Sequence, residues 1–251
     1  MSEKKRIVVI LASGKADKTT LDRTLSSIFS ALRGENTHVI VAIDDYSFEV
    51  EPSYIKELSS FYAGRVSSSF AQIKSKGLTF AETYLKAYRL AMGMGEVVIE
   101  MDAGGAHDPG QIPALMAKIS DGVDCVFSVR RVVRNYPFQR RLVSFVGTWL
   151  TNLLLNPDPL KPWRDLTSGF EAFTSKFLAE LFAKYPVRNW ISPYSAGHLF
   201  QTEIRVRALR LNARIAEVDI TYGADKKGKK LPAWYLLRAM RGFISLVREF
   251  R

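Results

Sequence analysis

The stretch EVVIEMDAGGAHDP (96–109) gathers residues able to do chemistry. A run of strand-forming apolar residues ends on a carboxylate, Asp102, and two glycines, His107, Asp108 and a proline follow. A carboxylate at a strand end can hold a hard divalent ion. Glycines leave backbone amides open to close approach by phosphate oxygens. Asp44 and Asp45 close a second apolar run, HVIVAIDD (38–45). Asp108, just before Pro109, is placed to cap a helix.

These acids need elements to position them. RIVVILA (6–12) is a continuous apolar run, as in a strand buried on both faces. Leu21, Leu25, Ile28 and Leu32 recur at helical spacing over 20–34, which ends on Gly34. A second strand is expected at 38–45, a short helix at 53–64 and a third strand at 65–73. A strong helix pattern covers 79–95, followed by strand 96–102, helix 109–120 and strand 123–130. This alternation predicts an α/β fold on a mostly parallel sheet. Ligands of such sheets bind beyond the carboxyl ends of the strands, so Asp44, Asp45 and Asp102 should converge on one crevice. Further on, helices are expected at 140–155 and 198–213, with a short strand or turn and then a helix within 167–185. A strand is expected at 214–223 and an amphipathic helix at 232–251. The simplest partition is one domain, 1–231, with a C-terminal helical appendage, 232–251.

The 251 residues are 47% hydrophobic and 24% charged, enough to bury a sizeable core. A single cysteine, Cys125, excludes an internal disulfide and reads as a buried thiol, which fits a reducing compartment. The N-terminal MSEKKRIVVILASG reads as a first strand, not a signal peptide, and no run approaches the roughly 18–20 apolar residues of a membrane span. The net charge of +11 is concentrated. Residues 130–165 carry seven lysines and arginines against Asp158 and Asp165, and 226–251 carry eight against Glu249. Two basic zones suit an anionic partner. No nucleic-acid-reading motif accompanies them, so a phosphorylated ligand or a membrane surface is the better match. Leu236, Met240, Phe243, Val247 and Phe250 recur at 4-3-4-3 spacing among arginines. That pattern suits either a helix lying in a membrane interface or one docked on its own domain.

Several segments, in order, resemble the inverting nucleotide-sugar glycosyltransferases of GT-A fold, above all the dolichyl-phosphate (polyprenyl-phosphate) mannose synthase group. VAIDDYS (41–47) resembles V-V-D-D-G-S, and KSKGLTFAETYLKAYRLAMG resembles K-x-G-L-G-x-A with its helix. EVVIEMDAGGAHDPGQIP resembles V-V-x-M-D-A-D-x-x-H-x-P-E-x-I-P. VDCVFSVR ends like the family's G-S-R strand, RRLVSF resembles its R-x-x-x-S turn, and DLTSGFEAF is a near copy of D-x-T-S-G-F-R-A-F. HLFQTEIRVRALRLNARIAEVDITY and DKKGKKL match the closing motifs.

The resemblance implies transfer of a hexose, most directly mannose from GDP-mannose, to a polyprenyl phosphate. UDP-glucose or another donor is a second reading, and a catalytically degenerate binding or scaffold protein of the same fold a third. It places the nucleotide sugar on Leu11, Ser13, Ile43, Asp45, Lys76, Asp102, Ala103, Gly104 and Lys227. It gives catalysis to Asp102 and Arg130, and the acceptor phosphate to Arg130, Arg140 and Ser144. A Mg²⁺ or Mn²⁺ ion would rest on Asp102 and His107, with the enzyme peripheral on the cytoplasmic face of a membrane; the alternative role for His107 is to brace its loop through hydrogen bonds. The chain departs from the pattern on the donor side. Gly104 replaces the second acid of D-A-D, Ala106 a later polar residue, and Leu11, Ser13 and Lys15 the family's proline, tyrosine and glutamate. Three outcomes stay open: Asp102 holds the ion with His107 or Asp108 and water, lysines take over its work, or donor chemistry is lost. Asp165 reads as a loop-ordering acid, and Glu203 as a partner for Arg130 or a neighbour.

Overall fold

In the computed structural model, which describes residues 6–12, 18–43, 56–57, 60–61, 68–74, 79–135, 137–195, 199–223 and 232–251, the expected strands assemble into one seven-stranded sheet. Strand β1 (Arg6–Ala12) pairs in parallel with β2 (Asn36–Ile43) and β4 (Val97–Asp102), and β2 with β3 (Ser68–Lys74). On the far side lie β5 (Cys125–Arg134), β6 (Glu171–Thr174) and β7 (Ile215–Gly223). The order is β3-β2-β1-β4-β6-β5-β7. The short β6 is antiparallel to both β4 and β5 and stitches the two parallel parts together.

Alternation along the strands divides the core in two. Ile7, Val9, Val39, Val41, Ile99 and Met101 face helices α1 (Lys18–Ala31) and α3 (Ile112–Ser120), meeting Leu21, Leu25, Ile28 and Leu115. Val8, Ile10, Ile40 and Val98 face α2 (Phe80–Met92), α5 (Ser175–Lys184) and α6 (Leu199–Arg210). Each such side chain contributes about 1.5–3 kcal/mol on burial. Helix α2 starts on a capping box: the Thr79 hydroxyl accepts from the Glu82 amide, and the Glu82 carboxylate accepts from the Thr79 amide. Of the helix expected at 53–64, residues 56–57 and 60–61 are described, and all are helical.

The last two helices, α4 (Phe138–Leu155) and α7 (Ala233–Phe250), form a third cluster with α6 through Leu155, Leu199, Val206 and Leu246. Helix α7 is docked. Gly242 is buried, and a Cβ there would lie 2.5 Å from both Ser195 Cβ and Leu199 Cδ2, so only glycine permits this approach. Glu249 pairs with the buried Arg207 at 2.9 Å. The apolar stripe read from sequence therefore divides: Phe243, Val247 and Phe250 pack inward, while Trp234, Leu237, Met240 and Ile244 form the exposed face. The C-terminal part of the 4-3-4-3 stripe marks the seam of a docked helix, while Met240 of the same stripe belongs to the outward face. Among the described residues, no helix is long and apolar enough to cross a membrane.

Candidate active site

Ala12 is level with both Ala42 and Asp102 in the sheet, so the carboxyl ends of β1, β2 and β4 finish side by side. Asp102 ends β4 with its side chain 38% exposed. Ala103 is buried, its carbonyl accepting from the Thr24 hydroxyl at 3.1 Å. Gly104 is exposed, with nothing within 4 Å of a built Cβ, and Gly105 carries the positive φ of 76°. The bare turn thus needs glycine at 105 but not at 104.

His107 is buried beneath this turn. Its Nδ1 accepts from the Asp102 amide at 3.1 Å, and its Nε2 donates to the Ser168 carbonyl at 3.2 Å. Burial lowers its pKa, the charge of Asp102 opposing in part, so the ring is neutral at pH 7. Both nitrogens are committed, which leaves no lone pair for a metal in this arrangement. Of the two roles open to His107, a metal ligand or a loop brace, these bonds are those of a brace between the Asp102 turn and the 165–169 loop. Asp108 caps the next turn, Oδ1 accepting from the Gly110 amide at 2.9 Å.

The end of β5 carries Arg130, whose guanidinium is locked on Asp165 by two parallel bonds of 2.6 Å and 2.8 Å. Its Nη2 also donates to Thr167 Oγ1 at 2.7 Å and Ser144 Oγ at 3.2 Å, and these hydroxyls lie 2.9 Å apart. The Tyr222 ring lies between Arg130 and His107, 5.5 Å and 5.1 Å from them. Burial alone would raise the Asp165 carboxyl, but the bonds and charge of Arg130 outweigh it and hold it below the usual range. Glu203 is not Arg130's partner. It is buried against Arg207 at 2.7 Å and accepts from the amides of Ile191 and Ser192.

Ser144 and Thr167 stand with Arg140 at the head of a groove of about 420 Å³ between α4 and α7, lined by Val143, Gly147, Leu150, Leu236, Ala239 and Phe243 among others. Arg140, Ser144 and Thr167 make one part cationic and hydroxylic, and the rest is mostly apolar, with Thr151, Thr202 and Tyr235 among it.

A second acidic feature escaped the sequence reading. Glu100 and Glu171 are register partners on β4 and β6, fully buried. Tyr88 donates to Glu100 Oε2, while Glu100 Oε1 and Glu171 Oε2 take no hydrogen bond. Burial pushes Glu100 up to about 8, against the Tyr88 bond, and raises Glu171 well above the usual range. The fold therefore keeps a proton that the unfolded chain releases from about pH 4.5 upward. Stability is full below that pH and falls as pH rises toward about 8. The slope is at most about 1.4 kcal/mol per pH unit for one retained proton. Glu100→Gln should flatten it, read from thermal midpoints across that window; an equally steep slope in the variant would assign the proton elsewhere.

The structure thus brings Asp102, Ala103, Gly104 and His107 to one tip, and Arg130, Arg140 and Ser144 to its neighbour. Leu11 and Ile43 sit at the ends of β1 and β2. Ser13, Asp44, Asp45, Lys76 and Lys227 lie outside the described residues. Sequence reading missed Thr167 and Tyr222. The D-x-T spacing held a signal for the first, since the Thr167 amide donates to Asp165 Oδ1 at 3.1 Å in an Asx turn.

The model of glycosyl transferase family 2 matches residues 7–182. The chain is 30% identical over 151 residues to an undecaprenyl-phosphate mannosyltransferase of Micrococcus luteus, covering 58% of this chain and 57% of that protein. It is 28% identical over 237 residues to a dolichol-phosphate mannosyltransferase of Pyrococcus furiosus, covering 92% of this chain and 61% of that protein. It therefore spans less than two thirds of either relative. Among solved structures, it resembles glucosyl-3-phosphoglycerate synthase from Mycobacterium tuberculosis in complex with Mn²⁺, UDP and phosphoglyceric acid. There the TM-score is 0.62 at 16% identity, over 97% of this chain and 78% of that one. It also resembles a mannosyltransferase from Pyrobaculum calidifontis in complex with GDP-Man and Mn²⁺, with TM-score 0.59 at 14% identity over 97% and 65%. At these identities the two structures speak to the fold, a GT-A-like one.

Proposed function

The chain belongs to glycosyl transferase family 2, and from that premise we propose that it moves a hexose, most directly mannose from GDP-mannose, onto a polyprenyl phosphate with inversion. The observation that carries this reading is a strand-end carboxylate, Asp102, tied through His107 and the 165–169 loop to a cationic, hydroxyl-lined head on an apolar groove. A sugar nucleotide suits the first, and a phosphate on a long apolar chain suits the second. The names of the two relatives point the same way.

In this mechanism an oxygen of the lipid phosphate attacks the anomeric carbon. The new C–O bond forms as the bond to the nucleoside diphosphate breaks, and the diphosphate leaves with the electron pair. The lipid phosphate is already ionised at neutral pH, so no general base is needed. Arg140, Ser144 and Thr167 hold it, while Asp165 fixes the Arg130 guanidinium behind them. Fixed cations and hydroxyls of this kind stabilise charge without reorganising during the reaction.

Asp102 offers one carboxylate, and no group of three His, Cys, Asp or Glu side chains gathers among the described residues. That donor set fits a Mg²⁺-type ion, which takes one or two carboxylates and completes its shell from substrate phosphates and water. Such an ion, when bound, neutralises the departing diphosphate. Because Gly104 has open space and no positive φ, Gly104→Asp should place a second carboxylate beside Asp102 and tighten Mn²⁺ binding in the presence of nucleoside diphosphate. Calorimetric titration of both proteins checks it; equal affinities would mean that the ion never reaches this turn.

Exposure supports a membrane face. Helix α4 presents Phe138, Phe145, Trp149 and Leu153, which are 78%, 70%, 57% and 64% exposed, and α7 adds Trp234, Leu237, Met240 and Ile244. Arg140, Arg141, Arg238 and Arg241 share these helices. An apolar face with arginines suits an anionic bilayer at which the enzyme is peripheral, on the cytoplasmic side. The deciding experiment is transfer of radiolabelled sugar to polyprenyl phosphate from a panel of GDP- and UDP-sugars. Label in lipid from GDP-mannose supports the reading, label from UDP-glucose moves it to the alternative donor, and none from any donor overturns it.

A further inference from the structure

We infer that Tyr222 is a positioning residue for transfer: its ring sets the gap between the donor turn and the acceptor cradle, and the Gln111 side chain holds the end of β7 that carries it. The inference rests on the transfer reading above.

Strand β7 lies at the edge of the sheet, beside β5. The outer backbone groups near its end are nonetheless taken. The Thr221 amide donates to Gln111 Oε1 at 2.8 Å, and Gln111 Nε2 donates to the Thr221 carbonyl at 3.2 Å. One side-chain amide thus bonds the edge as a neighbouring strand would. The Gly223 amide donates to the Ala106 carbonyl at 2.9 Å, and His107 bridges Tyr222 in antiparallel fashion. The end of β7 is therefore fastened to the segment that follows Asp102. Ile220 is the register partner of Arg130, and Tyr222, two residues on, points to the same face of the sheet.

The ring stands where the two halves of the reaction meet. Its centroid is 5.1 Å from that of His107, edge to face, and 5.5 Å from the guanidinium carbon of Arg130, within cation–π range. His107 holds the Asp102 amide, and Arg130 stands behind the acceptor phosphate. A second tie between these halves is the hydrogen bond from His107 to the Ser168 carbonyl at 3.2 Å. One hydrogen bond fixes a distance and leaves orientation free, whereas a packed, rigid ring holds the gap. Transfer needs a lipid-phosphate oxygen about 3–3.5 Å from the anomeric carbon, and a misplacement of about 1 Å costs about 10²-fold. Donor hydrolysis makes no such demand: a water oxygen bonds the anomeric carbon, the diphosphate leaves with the electron pair, and a proton passes to solvent.

Radiolabelled sugar from the best donor of the panel above is followed into polyprenyl phosphate and into water. The ratio of the two rates is the readout, because loss of folded protein lowers both alike. Tyr222→Leu should lower the ratio of transfer to hydrolysis by about 10–10²-fold, through kcat for transfer and with KM for donor and lipid changed less than about twofold. Tyr222→Phe keeps the ring and should restore the wild-type ratio. Gln111→Leu removes both bonds to Thr221 and should lower the ratio in the same direction. An unchanged ratio in Tyr222→Leu, with both rates falling together, overturns the inference and makes the ring a structural part only. A loss in Tyr222→Phe equal to that in Tyr222→Leu overturns it in favour of the hydroxyl, and a wild-type ratio in Gln111→Leu overturns the part given to Gln111. Wild type that passes label to neither lipid nor water overturns the transfer reading and this inference together, whereas active wild type with indifferent variants removes the inference alone.

Discussion

Asp102→Ala is expected to abolish sugar transfer, with kcat falling by about 10²–10³-fold or more, the scale for losing one fixed group that stabilises transition-state charge. The fold should persist. The side chain is partly exposed, and its close neighbour His107 is bound to the Asp102 backbone amide, which alanine retains. The neutral ring makes no ion pair with the carboxylate, so nothing buried loses a partner. Thermal midpoint and turnover therefore separate: the midpoint stays within a degree or two and turnover collapses. Asp102→Asn tests the charge itself, since it keeps the shape and should fail nearly as completely. Near-normal turnover in either variant would remove Asp102 from the chemistry.

Arg130→Met should lose both transfer and stability, for different reasons. Arg130 and Asp165 are each almost wholly buried, with side chains 6% and 9% exposed. Removing one member leaves an uncompensated charge, which costs about 3–5 kcal/mol. Asp165 also holds the Thr167 amide, so the hydroxyl pair at the groove head loses its anchor. The double variant Arg130→Met/Asp165→Leu divides the two effects. With both charges gone the stability should largely return, because a buried ion pair is often replaceable by apolar side chains. Transfer should not return, because no guanidinium then stands behind the acceptor phosphate. Recovery of turnover in the double variant would reduce Arg130 to a structural role. Unchanged stability in the single variant would contradict the bidentate geometry.

The alternation of apolar runs and helical periodicities was enough, by sequence alone, to place β1, β2, β4 and β5 and the helices beside them, because those patterns are local and the sheet is buried on both faces. It was also enough to put Asp102 at a strand end, and the ordered motifs were enough to name the family. What required the tertiary structure were partnerships between distant segments. Arg130 meets Asp165 across 35 positions and Glu100 meets Glu171 across 71, since β6 runs antiparallel between β4 and β5, a placement that no short window of sequence encodes. His107 is five residues from Asp102 in sequence, and it braces a loop because its second nitrogen is claimed by Ser168, 61 residues away. The stripe on α7 shows the same limit. Periodicity reports that one side of a helix is apolar, but which apolar residues meet protein and which face outward depends on where Gly242 lets the helix seat against Ser195 and Leu199. Local pattern sets the elements; the choice of partner for each buried charge and each apolar face is made only when the elements pack.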